Sequence, residues 1–98
     1  MDIKHVAVAF VDAINNRDTE ALTQLMETSC GLDIQHIAKD LNYKINIERI
    51  IVDGSTVLLI GTAHGTCNVI PTIWKAEIHN RKVVAWTSYS SGGITCLN

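Results

Sequence analysis

From Tyr43 onward the sequence is committed to strands. Helical spacing of apolar residues runs up to Asn42, and then YKINIERIIV, STVLLIGTAHGT, VIPTIWKAEIH and KVVAWTSYS follow, all rich in β-branched and aromatic residues. Three turn signals divide these runs: Asp53-Gly54, Cys67-Asn68 and Asn80-Arg81, each of the two-residue kind that closes a hairpin. Links this short join only antiparallel neighbours, so the reading is a four-stranded meander. Arg81 is the odd choice, because a type I′ turn needs positive φ there and a Cβ costs about 1 kcal/mol.

Ahead of the strands, Asp2 is placed to cap a helix whose apolar stripe is Val6, Ala9, Phe10, Ala13 and Ile14. Asn15-Asn16 ends it. Asp18 then caps a second helix, with Glu20 in its first turn and Ala21, Leu22, Leu25 and Met26 turned inward. A short third helix is expected after Gly31, carrying Ile34, Ile37, Ala38 and Leu41. No repeat or linker interrupts the chain, so residues 1–98 read as one domain, a size that buries roughly two-thirds of its unfolded surface.

Composition removes several function classes. A net charge of −2, with Lys and Arg scattered, offers no basic field for phosphates, so no nucleic-acid partner is expected. VAVAFV is cut by Asp12 and falls far short of the roughly 20 residues of a membrane span, which makes the chain read as cytoplasmic. Cys30, Cys67 and Cys96 are far apart, and the four histidines show no i, i+4 pairing. Reduced thiols, no metal and no cofactor are expected.

If all three turns contain two residues, register follows by arithmetic, since paired positions sum to a constant and side chains alternate faces. One face then collects Val57, Leu59, Gly61, Thr72, Trp74, Ala76, Thr87 and Tyr89, with Asn46 and Glu48 at its polar end. The other carries Ile47, Ile60, Ile73, Val84 and Trp86 among Arg49, Lys75, Glu77 and His79. Helices can cover only one of them. The second, apolar at its centre, is expected to form a homodimer interface, because exposed patches of that size usually mark contacts. Gly61 is expected opposite Trp74, where a missing side chain leaves room for an indole and hence for a cavity.

Taken together, the phrases FVDAINNRDTEALTQLM, IERIIVDGSTVLLIGTAHGT and WKAEIHNRKVVAWTSYS resemble the nuclear-transport-factor-2-like superfamily, particularly its SnoaL-like polyketide-cyclase and ketosteroid-isomerase-like branch. The resemblance covers most of the chain. It implies an α+β cone, a cystatin-like roll in which N-terminal helices pack in the concave face of a curved antiparallel sheet, often dimeric, with the ligand site inside. One departure stands out. Many members carry an Asp after the aromatics of the final strand, and here Ser90 or Ser91 occupies that place.

The expected ligand lining is Trp74, Tyr89, Thr72, Thr87 and Asn46 from the sheet with Phe10 and Met26 from the helices. Trp86, Ile60, Ile73, Ile47 and Val84 are the expected interface. Proton abstraction inside an apolar cone needs a carboxylate or His, and Glu48 and His36 are the candidates, with His64 and Asp12 behind them. Each has a plainer reading: Glu48 paired with Lys44 at a rim, His36 on a helix surface, His64 turned outward, Asp12 exposed, and the aromatics as core. The expected function is a SnoaL-like protein that binds an apolar small molecule. The alternatives are a non-catalytic homodimerisation or interaction module, and an isomerase, cyclase or dehydratase using Glu48 or His36.

Overall fold

Asp2 accepts a hydrogen bond from the Lys4 backbone N–H at 3.0 Å and starts helix α1 (Ile3–Asn15). Asp18 accepts from Ala21 N–H at 3.1 Å and starts helix α2 (Thr19–Leu25). Between the helices Arg17 adopts φ +56°, the left-handed turn that reverses the chain. The structure, a computed structural model, describes residues 2–27, 30, 32, 42–65 and 69–90. The third helix with His36, the Cys67-Asn68 turn, Cys96 and the tail from Ser91 lie outside the described residues.

Strands β1 (Lys44–Asp53), β2 (Thr56–His64), β3 (Val69–His79) and β4 (Lys82–Ser90) form one antiparallel sheet in the order β1-β2-β3-β4. With the two helices packed on one side, this is an α+β fold. Met26 adds a single parallel bridge to Val83, and Glu27 N–H donates to the Val83 carbonyl at 2.9 Å. The core between helices and sheet holds Phe10, Ile14, Leu22, Val57, Leu59, Trp74 and Val83, all fully buried. Burying side chains of this kind contributes about 1.5–3 kcal/mol each, before the entropic cost of ordering them.

Two bulges correct the register read from the sequence. Ile47 pairs with Gly61 but Arg49 pairs with Ile60, so Glu48 is an extra residue in β1. Ile45 and Ile47 therefore face the helices, and Asn46 is turned out and exposed. In the last hairpin Ile78 pairs with Val83 but Glu77 pairs with Ala85, leaving Val84 as the extra residue. Beyond it Trp86 swings to the inner face, and Thr87 and Tyr89 move to the outer one.

The turns differ less. The first hairpin closes through Gly54-Ser55 between Asp53 and Thr56, with Gly54 at φ +62°. That slides the pairing by two and preserves the faces. The last turn is Asn80-Arg81 as expected, with both residues at positive φ, +53° and +65°. Gly61 lies opposite Thr72, and Trp74 opposite Leu59. Its role is also different: a Cβ on Gly61 would stand 1.8 Å from the Asn46 carbonyl oxygen, so the glycine admits the bulged backbone of β1 rather than an indole.

Candidate functional site

Helix α1 has two working faces. Val6, Phe10, Ala13 and Ile14 enter the core, whereas Val8, Val11, Asp12 and Asn15, spaced i, i+3, i+4, i+7, look towards β1. Opposite them stand Ile45, Ile47 and Ile50, with Leu59 behind. These eight residues enclose a cleft of about 250 Å³. It exists because the Glu48 bulge turns Ile45 and Ile47 inward at the edge of the sheet.

The cleft's geometry is pinned by the end of α1. The Asn15 side chain treats β1 as a neighbouring strand would: its Nδ2 donates to the Ile45 carbonyl at 2.9 Å and its Oδ1 accepts from Ile45 N–H at 2.8 Å. Lys44 Nζ donates to the Asn15 carbonyl at 2.8 Å. The Arg17 guanidinium donates to the Ile14 carbonyl at 2.8 Å and also to the Tyr43 carbonyl. Carbonyls at the C-terminal end of α1 thus accept from two cations, which also suits the negative end of the helix dipole.

The residues expected around a central cavity are distributed otherwise. Trp74 and Phe10 are fully buried, and the Phe10 ring meets the half-buried Trp86 ring at 4.9 Å between centroids and 55° between planes. Thr72 is the one buried polar side chain among the described residues, and its hydroxyl donates to the Ile70 carbonyl in its own strand at 2.9 Å. Met26 is half-buried against the core. Asn46, Thr87 and Tyr89 are exposed on the outer side, and His36 lies outside the described residues.

Of the titratable candidates, Glu48 is exposed in its bulge. His64 is half-buried on the outer face, with Nε2 2.9 Å from the Thr62 hydroxyl. Asp12 is exposed at the mouth of the cleft. Among the described residues no Asp, Glu, His, Lys or Arg is buried in the core. Cys30 is buried there as a free thiol. Burial pushes its pKa above the ordinary thiol value, against a smaller opposing effect of a backbone hydrogen bond from Leu32.

On the outer face Ile60 and Ile73 remain where the sequence reading put them, but Trp86 and Ile47 face inward and Val84 sits in the bulge. Ile51, Ile73 and Tyr89 are 41%, 40% and 56% exposed, enough to leave an apolar strip uncovered by the described residues. A groove of about 400 Å³ runs along it past Ile60, Pro71, Ile73 and Tyr89.

This architecture is that of the nuclear-transport-factor-2-like fold. The chain is similar to an NTF2-like protein of unknown function from Cytophaga hutchinsonii, with TM-score 0.82 and 12% identity over 93% of this chain and 91% of that one. It is also similar to a candidate ketosteroid isomerase from Kribbella flavida, at TM-score 0.81 and 11% identity over 98% and 82%. A candidate SnoaL-like polyketide cyclase from Shewanella putrefaciens follows, at 0.71 and 19% over 92% and 80%. No protein-family model and no curated protein matches the sequence. No helix among the described residues is long and apolar enough to cross a membrane.

Proposed function

We propose that this chain is a small SnoaL-like protein that binds a compact apolar molecule between α1 and β1 and carries out no proton transfer in its core. The observation that supports this is the cleft itself: six aliphatic side chains face one another across it, and the end of α1 is tied to β1 by Asn15. Its volume falls below the roughly 300–1,000 Å³ usual for drug-sized ligands, so the molecule is small. The exposure of Glu48, with no carboxylate or imidazole buried among the described residues, favours binding over isomerase or cyclase chemistry with Glu48 as base. Names of structural neighbours point to small molecules as the ligand class.

The test is a fluorescent apolar dye titrated into wild type and Val8→Trp. Val8 is 38% exposed on α1, so an indole there fills the cleft without entering the core. Dye binding that weakens at least tenfold in the variant supports the reading; equal binding in both overturns it.

A second reading concerns the outer face. Its strip of Ile51, Ile60, Ile73 and Tyr89, rimmed by Lys75, Glu77 and Thr87, fits a homodimer contact. Sedimentation of Ile73→Glu tests it. A dimer that dissociates supports the interface, and an unaltered assembly sinks it.

A further inference from the structure

We infer that the molecule held between α1 and β1 is an organic cation, a compact apolar body bearing one ammonium group that meets the Asp12 carboxylate. This deepens the reading of the cleft as a ligand site and rests on it. Of the eight lining residues two are polar. Asn15 commits one of its two amide N–H groups and its amide oxygen to the Ile45 backbone, which holds its amide against β1 and leaves it uncharged. Asp12 is the remaining polar side chain, and its carboxylate takes no hydrogen bond or ion pair with any described residue.

An ionised carboxylate only accepts hydrogen bonds, so the complementary ligand group is a donor. Two further features favour a positively charged one. Asp12 lies in the last turn of α1, where a negative side chain opposes the helix dipole and gains from a cation beside it. The nearby cations Lys44 and Arg17 donate to the carbonyls of residues 14, 15 and 43, so the exposed carboxylate is open to a cation arriving from solvent. The aliphatic walls then take the hydrocarbon part, and an anionic ligand is repelled at the mouth.

Three probes of one shape separate the possibilities: cyclohexylmethylammonium, cyclohexylmethanol and cyclohexanecarboxylate, titrated while the methyl NMR signals of Val8, Ile47 and Ile50 are followed. The ammonium is expected to bind on the order of tenfold tighter than the alcohol, as a charge-assisted hydrogen bond allows, and the carboxylate weakest. Asp12→Asn, at an exposed site whose carboxylate has no partner among the described residues, is expected to abolish the preference for the ammonium by weakening the ammonium far more than the alcohol. Equal binding of ammonium and alcohol to wild type, or a preference that survives Asp12→Asn, overturns the cation assignment while the cleft stands as a site. If none of the three probes moves those methyl signals, the cleft reading fails and the cation assignment fails with it.

Discussion

Replacing Gly61 with alanine tests how closely the bulged strand is built against its neighbour. The added Cβ would sit 1.8 Å from the Asn46 carbonyl oxygen and 3.0 Å from Ile47 Cα, both backbone atoms that no rotamer change can remove. To restore even a tight 3.0 Å contact, β1 must retreat by about 1.2 Å. That movement strains the Ile47–Gly61 pairing and the Asn15 clamp on Ile45. Overpacking costs about 1–3 kcal/mol and each weakened hydrogen bond about 0.5–1.5, offset by up to about 1 from the stiffer unfolded chain. The net loss is about 2–4 kcal/mol, or a fall in Tm of about 10–25 °C for a domain of this size. Urea unfolding followed by circular dichroism measures it directly. Gly54→Ala is the control: nothing lies within 4 Å of a Cβ there, so only the φ of +62° resists, at about 1 kcal/mol. If Gly61→Ala loses less than Gly54→Ala, the account of the bulge is refuted.

Other consequences follow from the same geometry. Asn15→Ala removes two hydrogen bonds to Ile45 and is expected to destabilise the fold by about 2 kcal/mol in the same assay, with Asn15→Asp recovering less than half because it lacks the donor. Trp86→Ala is expected to lower stability by about 3 kcal/mol through loss of the Phe10 contact while leaving the oligomeric state unaltered, since Trp86 faces the helices; sedimentation and chemical unfolding together check both parts. In a Cys67→Ser, Cys96→Ser background, Cys30 is expected to react with a thiol reagent at pH 8 more than a hundredfold more slowly in native buffer than in urea, because burial suppresses its thiolate. A folded thiol pKa above the unfolded one binds more protons in the native state, so the Cys30 contribution to stability is full below the unfolded thiol pKa and is lost as pH rises through the folded one; Cys30→Ser is expected to flatten the alkaline limb of a stability–pH curve.

The order of the described elements, α1, α2 and β1 to β4, was legible from patterning alone. Caps at Asp2 and Asp18, β-rich runs after Asn42 and the Asn80-Arg81 turn each rest on local chemistry, and local chemistry decides them. Face assignments were not, because a bulge adds one residue and inverts every side chain beyond it. The signals were nonetheless present. In KINIERIIV two polar residues, Glu48 and Arg49, stand together between inward Ile47 and Ile50, which strict alternation cannot accommodate. In KVVAWTS the inward residues Val83 and Trp86 are three apart, again one residue too many. The glycine at 61 marks where the first bulge leans on its neighbour.

The same inversion explains what changed at the site. Asn46, Thr87 and Tyr89 left the inner face and Trp86 and Ile47 joined it, so the interior was filled by rings and the open space moved to the edge beside α1. Val8, Val11 and Asn15 were not legible as cleft lining, and Asp12 was legible only as a base candidate, because the stronger stripe through Phe10 and Ile14 drew the helix's assignment. Their own i, i+3, i+4, i+7 spacing is a second stripe, half aliphatic and half polar, as the lining of a cleft would be.

Native mass spectrometry of freshly purified wild type and Val8→Trp decides whether a ligand sits between α1 and β1. The account predicts a small-molecule adduct on the 10.8 kDa chain of wild type that is absent from Val8→Trp. An adduct retained equally by both proteins, or no adduct on either, would contradict a ligand site between α1 and β1.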